Sequence, residues 1–206
     1  MKMLGLERAV IKRKKGQNEY VIWSAKAGAA VTLYEKSQVL YLLRQEFNPN
    51  VTVLSCEPHQ VKTPYGTAFL PISACHGDQL KLAIFDPPEM ISQQIALLCE
   101  QKRWILDVIT TSIHSDSSHE FWNLLEMHQW LLRCGGTLRE KDIQIFARSM
   151  RPGQSFLLQN QLSNENAVNQ ITMVYELVRR GRLHLQDISV KRICQESIFS
   201  VQGDAA

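Results

Sequence analysis

The feature that most constrains the fold is a succession of short strand-like runs followed by one helical segment. Three runs rich in β-branched and aromatic residues lie at 51–56 (VTVLSC), 66–73 (GTAFLPIS) and 79–85 (QLKLAIF), separated by proline, glycine and asparagine turn signals. The segment 87–103 then begins with two prolines and repeats apolar residues at helical spacing, and 104–110 (WILDVIT) is strand-like again. This order predicts three strands of one sheet, a crossover helix and a further strand, which is an α/β unit.

A helical segment precedes this unit. Its apolar residues Val39, Leu40, Leu42 and Leu43 form one stripe of the stretch 34–45, and charged residues lie opposite them. Asparagine and proline in the following residues are typical of a helix end. We therefore predict a helix over 34–45.

A second amphipathic segment, 119–134, is followed by a glycine pair that predicts the end of a helix and a domain boundary. The chain beyond it has mainly helical periods, with a stop at Gly181 and a short strand-like run at 182–185. Helices followed by a small ribbon are typical of a winged-helix or similar module. The predicted domains are a basic amino-terminal arm (1–19), an α/β domain (20–134) and a helical carboxy-terminal domain (135–206).

Charge and cysteine usage narrow the class of protein. The net charge of +3 over 206 residues is too small for a polybasic binder, although it does not oppose contact with an anionic partner. The five cysteines are odd in number and lack a CxxC pair, which favours a reducing compartment. No apolar run approaches the roughly 18 to 20 residues that span a bilayer, and no signal peptide is recognisable. These features predict a cytoplasmic protein.

Several motif-based functions lack support. There is no GxSxG, GxxxxGK or GxGxxG pattern, so hydrolase, nucleoside triphosphatase and dinucleotide-binding functions are not indicated. The pair Cys75-His76 and the segment HSDSSHE (114–120) lack the spacing of a tetrahedral metal site. The latter is more simply a loop and helix cap, with Ser117 or Ser118 as the capping residue. We therefore predict no metal ligands in either group.

Two groups of basic residues are candidates for nucleic-acid binding. Each lysine or arginine could neutralise a phosphate, which gives affinity with strong salt dependence and little base specificity. Each group also has a structural alternative. The first group, in the amino-terminal arm, could be a solvated tail, and the second, near the carboxy terminus, could interact favourably with a helix dipole. The candidate DNA-binding residues are Lys12, Arg13, Lys14 and Lys15 in the arm, and Arg179, Arg180, Arg182, Lys191 and Arg192 near the carboxy terminus.

The order of elements between about residues 30 and 130 resembles the TnsA endonuclease family, the strand-cutting partner in heteromeric transposases of the TnsA/TnsB type. The stretch SQVLYLLRQEFNPNVTVLSCEP (37–58) is similar to the family's helix, acidic-aromatic pair, turn and strand. GTAFLPIS (66–73) matches the family's T-D-F-L-V strand, and LAIFDP (82–87) matches its Q-V-K-P. Residues 102–130 follow its tryptophan-containing strand, threonine turn and final helix, and 174–189 more weakly resemble its carboxy-terminal segment. The resemblance implies a restriction-endonuclease-like mixed sheet flanked by helices, with a small winged-helix-like domain after it.

The resemblance also implies where a nuclease site would lie. Such an enzyme needs carboxylates that hold a divalent ion and a lysine near the attacking water. The family has a glutamate on the first helix, an aspartate that opens one strand and a lysine that closes the next. The matching positions here are Gln38, Ala68 and Asp86. The resemblance therefore implies a degenerate site without a metal cofactor.

Three functional hypotheses follow. The leading one is a non-catalytic TnsA-like subunit that binds a TnsB-like transposase, a TnsC-like regulatory ATPase and transposon-end DNA. The second is a Mg²⁺-dependent endonuclease with a migrated site, using Glu35 with Asp86 or Asp78, although the strand between the two aspartates would separate them by roughly 26 Å if extended. The third is a stand-alone DNA-binding or host-interaction protein that retains a nuclease fold.

Overall fold

The computed structural model describes residues 6–10, 13–110, 118–161 and 167–202. The chain divides into two compact units, the first containing residues 1–46 and 50–116 and the second containing 47–49 and 117–206. The division falls before the helix at 118–134, whereas the sequence predicted a boundary after it. The reason is that this helix makes its hydrogen bonds with later parts of the chain, for example from Trp130 to Thr172.

A four-stranded mixed sheet forms the centre of the first unit. The sheet and its helices consist of α1 (Lys36–Glu46), β4 (Val51–Ser55), β7 (Ile72–His76), β8 (Gln79–Phe85), α2 (Glu89–Lys102) and β9 (Ile105–Ile109). The strands have the order β4-β7-β8-β9; the first three are antiparallel neighbours, and β9 is parallel to β8. Helix α1 precedes β4, and helix α2 makes the crossover from β8 to β9. The predicted α/β unit with its crossover helix is therefore confirmed.

The remaining strands of the first unit belong to two smaller sheets. One has the order β1-β5-β6, with β1 at Glu7–Arg8, β5 at His59–Thr63 and β6 at Gly66–Leu70. The other is a hairpin of β2 (Tyr20–Ser24) and β3 (Ala29–Leu33). Because β1 pairs with β5, the predicted amino-terminal arm is not wholly separate from the α/β unit.

The prediction of one sheet for all three strand-like runs is wrong. The run 66–73 divides at Pro71: β6 pairs with β5, and β7 enters the four-stranded sheet. Proline has no N–H to donate to a ladder, so a strand that contains it is readily interrupted there. The pattern of apolar residues continues through Pro71 and does not reveal the change of sheet.

An apolar cluster lies between α2, β8 and the three-stranded sheet. Its buried members are Val61, Ala68, Leu70, Leu82, Ile84, Ile91, Ile95 and Cys99. The alternation of a strand turns the neighbouring residues of β8 to the other face, where Phe85 meets the ring of Tyr41 from α1 edge-on at 5.9 Å. The apolar stripe predicted for α1 is confirmed as buried.

The second unit combines helices with a small antiparallel sheet. Phe199 is fully buried in it and stacks on Phe156, with ring centroids 5.9 Å apart. The helical periods predicted for the chain beyond the glycine pair are wrong for 188–201, because this stretch consists of turns followed by a strand. The elements are α3 (Ser118–Cys134), α4 (Glu140–Arg148), β10 (Ser155–Leu157), α5 (Ala167–Arg179), β11 (Leu183–Leu185) and β12 (Ile198–Val201), and the strand order is β10-β12-β11.

Within the described ranges, no helix has the length and apolar character needed to cross a membrane.

Candidate functional site

Gln38, the first of the three positions matched to nuclease residues, lies in the first turn of α1. Its side-chain oxygen accepts a hydrogen bond from the backbone N–H of Tyr34 at 3.2 Å. The amide therefore fixes the chain that enters the helix. Its oxygen already has a structural partner.

Ala68, the second position, lies on β6 and is 4% exposed within the apolar cluster. Its neighbours in that cluster are aliphatic side chains, including Leu70 and Ile91. Burying a carboxylate among such groups is costly unless it is paired. The site has a methyl group where the metal ligand would be.

Asp86, the third position, follows β8 and is exposed. Its backbone N–H donates to the carbonyl of Ile109 at 2.9 Å, and its φ of +42° is in the left-handed region. Aspartate adopts this region more readily than most residues. The residue therefore has a conformational role where β8 ends and the chain turns into Pro87.

The migrated-site hypothesis involves three acids, two of which lie at opposite ends of one strand. Asp78 lies in the tight turn between β7 and β8, and Asp86 follows the other end of β8, so a whole strand separates them. Glu35 is exposed just before α1. Across residues 6–10, 13–110, 118–161 and 167–202, no group of three or more His, Cys, Asp or Glu residues is arranged to hold a metal ion. In the segment HSDSSHE (114–120), for which the sequence predicts no metal ligands, residues 114–117 lie outside the described residues.

The sequence interpretation missed a polar network on the α1 side of the four-stranded sheet. Lys81 on β8 and Asp107 on β9 form an ion pair at 2.8 Å, with 23% and 33% of their side chains exposed. Tyr41 lies close to the carboxylate, and burial followed by the charge of Asp107 raises the pKa of Tyr41. A charged residue inside each of two apolar strands was the available signal.

His76 belongs to the same network. Its Nε2 lies 3.2 Å from Oε1 of Gln45, which is a hydrogen bond whose direction depends on the tautomer. Burial, and then the positive charge of Lys81, lower the pKa of His76. The neutral imidazole is therefore favoured, and the network fixes α1 over the sheet edge where β7 turns into β8.

The basic residues of the arm form a defined turn. Lys12 lies outside the described residues, whereas residues 13–17 are described. The N–H of Gln17 donates to the carbonyl of Lys14 at 3.1 Å, and Nε of Arg13 donates to the carbonyl of Gln17 at 2.8 Å. Lys14 and Lys15 are exposed at this turn.

Arg179 and Arg180 form ion pairs with carboxylates of the same unit. Arg179 ends α5 and Arg180 follows it, and both guanidinium groups bind Glu176, a largely buried carboxylate of α5, with N···O distances of 2.7 and 2.8 Å. Arg180 also binds Glu140 of α4. To bind DNA, each arginine would have to exchange a carboxylate for a phosphate, so their contacts give them a structural role.

Asn123 of α3 binds the loop that contains Lys191 and Arg192. The Asn123 side chain is fully buried. The Asn123 amide donates to the carbonyls of Ile188 and Lys191 at 2.8 and 2.7 Å, and its oxygen accepts from the N–H of Ile193 at 2.9 Å. These three hydrogen bonds fix the backbone of the loop. Asn123 is a positioning residue that composition and periodicity did not single out.

The charges of this loop also have partners. Arg192 forms an ion pair with Glu126 at 3.0 Å and lies over the ring of Trp122, 5.8 Å from its centroid. Lys191 is 3.9 Å from Asp187, in an exposed pair that contributes little stability. Arg182, also expected to bind DNA, is exposed after α5.

Comparison with known proteins found no family model that matches the chain and no curated protein that matches it. What the chain does therefore has to follow from its own residues and their geometry.

Proposed function

We propose that the chain is a non-catalytic TnsA-like subunit of a DNA transposition complex. It would hold a TnsB-like transposase, a TnsC-like regulatory ATPase and transposon-end DNA in one assembly, in the cytoplasm. The observation that carries the proposal is that each position matched to a catalytic residue of the nuclease family has a structural role. Gln38 fixes the chain that enters α1, Ala68 fills a core and Asp86 adopts a left-handed backbone conformation.

The topology of the first unit supports this proposal. Its four-stranded sheet has three antiparallel strands and a fourth, parallel strand, with helix α1 before the first strand and the crossover helix α2 before the last. Strands β5 and β6, which belong to a second sheet, lie between β4 and β7 in the chain. This is the kind of mixed sheet, flanked by helices, that the resemblance to the TnsA family implies. The likeness concerns fold alone, and fold does not determine activity.

The chemistry of the three positions supports the absence of nuclease activity. Mg²⁺ is held by hard oxygen ligands, usually carboxylates, which also place the attacking water. An alanine supplies no oxygen at all, and the oxygen of Gln38 accepts a backbone hydrogen bond. An anion in the place of the lysine would repel the attacking hydroxide instead of stabilising it. No step of phosphodiester hydrolysis has a residue to perform it there.

The second unit supports a binding role. Its helices and small antiparallel sheet are compatible with the winged-helix-like module that the resemblance implies. Trp122 is 45% exposed beside Arg192, and Val190 of the same loop is 69% exposed. Tryptophan and arginine are the residues most often found at the energetic centre of protein interfaces. We assign the transposase or ATPase contact to this unit.

The experiment combines a cleavage assay with a binding assay. The purified protein is incubated with supercoiled DNA in Mg²⁺ and in Mn²⁺, with and without a candidate TnsB-like transposase and a candidate TnsC-like ATPase. We expect no cleavage, and co-purification with at least one partner that Trp122→Ala weakens. Leu132→Ala, a truncation of another exposed apolar residue on the same helix, is the matched control.

Two results would overturn the proposal. Cleavage that Glu35→Ala or Asp86→Ala abolishes would establish a migrated nuclease site instead. Failure to bind either partner, by a protein that unfolds cooperatively and is therefore folded, would remove the architectural role.

A further inference from the structure

We infer that the basic turn, defined here as residues 14–17, and the outer face of the β2–β3 hairpin together bind the phosphate backbone of duplex DNA. The inference rests on the proposed function, because it names the surface through which this subunit would contact DNA. It adds a specific turn and an apolar strand face to what basic composition alone indicates.

The turn is pre-organised. The Gln17 N–H donates to the carbonyl of Lys14, and the Gln17 side chain accepts from the Lys14 N–H, both at 3.1 Å. Gly16 has a φ of +81°, a conformation that glycine adopts without strain. The turn therefore presents its two lysines without a large loss of backbone entropy on binding.

The charges at the turn are not balanced internally. Arg13 is the residue that the local acid engages, since its guanidinium lies 3.6 Å from the carboxylate of Glu19. Within the described ranges, the ammonium groups of Lys14 and Lys15 have no ion-pair partner. Two exposed cations on adjacent residues are each available to neutralise a phosphate of the DNA backbone.

The hairpin continues directly from the turn. Ile22 and Ser24 point to the buried side of β2, so strand alternation turns Val21 and Trp23 outward, where they are 65% and 48% exposed. Their cross-strand partners on β3 are the small residues Thr32 and Ala30. The outer face is therefore an exposed apolar ledge, formed by Val21 and Trp23, on a hairpin that begins three residues after the turn.

This arrangement fits a duplex backbone better than a single strand. Proteins that bind single strands stack successive bases on several aromatic side chains along a basic groove. On the outer face of this hairpin, Trp23 is the one aromatic residue among Val21, Trp23, Ala30 and Thr32. Lysines that contact phosphates, with an apolar ledge against the deoxyribose, require no unstacked base.

The experiment measures binding of the full chain to a labelled duplex by fluorescence anisotropy as the salt concentration is raised. Replacing both lysines, Lys14→Gln with Lys15→Gln, is expected to weaken binding on the order of tenfold and to make the salt slope shallower by about 1.8, since each phosphate contact contributes about 0.9. The matched control is Lys102→Gln with Lys141→Gln, which removes the same charge from two exposed lysines elsewhere. The control is expected to change neither quantity.

Trp23→Thr tests the apolar ledge separately. Threonine has a high strand propensity and suits an exposed strand position. We expect weaker binding with an unchanged salt slope, because no cation is lost. Thermal unfolding of each variant verifies that the hairpin is intact.

Several outcomes would overturn the inference. Equal losses in the lysine variant and its control would mean that net charge alone drives binding. Tighter binding to a single strand of the same length would assign the surface to another class of nucleic acid. If the wild-type chain binds its protein partners but no duplex DNA, the DNA-binding surface is overturned and the partner-binding role of the proposed function remains. Metal-dependent cleavage would instead overturn the proposed non-catalytic function and leave the DNA-binding surface.

Discussion

Arg180, the residue that follows α5, binds Glu140 of α4 with two parallel hydrogen bonds, one from each terminal nitrogen of the guanidinium to one carboxylate oxygen, both at 2.8 Å. The third nitrogen, Nε, donates to the largely buried Glu176 at the same distance. One side chain thus joins two helices of the second unit and neutralises part of an internal charge. Planar two-point geometry of this kind is specific to arginine.

Glu140 gives this contact a pH dependence. The hydrogen bonds from Arg180 are the main cause that lowers the pKa of Glu140 from 4.5 to about 2. A carboxyl whose pKa is lowered by folding stabilises the fold above its unfolded value, and that contribution is lost as the pH falls from 4.5 through about 2. We expect Glu140→Gln to lose less stability than the wild type across this window in thermal unfolding. Glu100→Gln, at an exposed acid of α2, is the control, and identical pH profiles for all three proteins would refute this role.

Asn123→Ala removes all three hydrogen bonds that hold the 188–193 loop and leaves two carbonyls and one N–H without their partner. We expect a loss of about 2–3 kcal/mol in the free energy of unfolding, measured in urea, because unsatisfied buried groups are costly. Trypsin should also cleave faster after Lys191 and Arg192. The control Asn169→Ala, at an exposed position of α5, should change neither the free energy of unfolding nor the rate of trypsin cleavage. If Asn123→Ala is as stable and as protease-resistant as the wild type, the loop keeps its conformation without these hydrogen bonds.

Ala68→Asp places a carboxylate inside the apolar cluster of the first unit. We expect destabilisation of about 3 kcal/mol or more, since the cluster provides no cation to pair with it. Ala96→Asp, on the exposed face of α2, gives the cost of the same substitution without burial. If both variants unfold at the same denaturant concentration, position 68 is open to water and still accessible to a metal ion.

Lys81→Gln should raise the pKa of His76, which burial and the lysine charge together lower from its ordinary 6.5. NMR titration of the His76 ring follows this shift directly, and His76→Gln assigns the signal. A histidine with a lowered pKa stabilises the fold above pH 6.5 and loses that contribution as the pH falls through the folded value. Wild type should therefore lose stability on acidification that His76→Gln retains; an unchanged His76 pKa in Lys81→Gln would separate the lysine from the imidazole.

The helices whose signals lie within one segment of sequence were predicted correctly. The stripe in α1, the proline start of α2 and the glycine end of α3 all lie within one segment of sequence, and the structure contains each helix at the expected place. The sheet assignment of 66–73 depended instead on which strand each half pairs with. Periodicity does not encode that choice, and the apolar pattern is the same on both sides of Pro71.

The same distinction applies to the site residues: groups that are adjacent in sequence could be predicted, and groups that the fold brings together could not. The basic turn was visible because its lysines are adjacent in sequence. The ion pair between Lys81 and Asp107 was not, because only the parallel pairing of β8 with β9 brings them together. For the same reason Arg180 looked available for DNA until its carboxylate partners, one of them on another helix, were known.

The left-handed backbone at Asp86 has an evolutionary consequence. If the chain descends from a nuclease, this conformation opposes the return of a lysine at position 86. A lysine there would have to adopt a left-handed backbone conformation, which aspartate, asparagine and glycine adopt more readily. Reversion would require the turn to change shape before the new side chain brought any catalytic benefit.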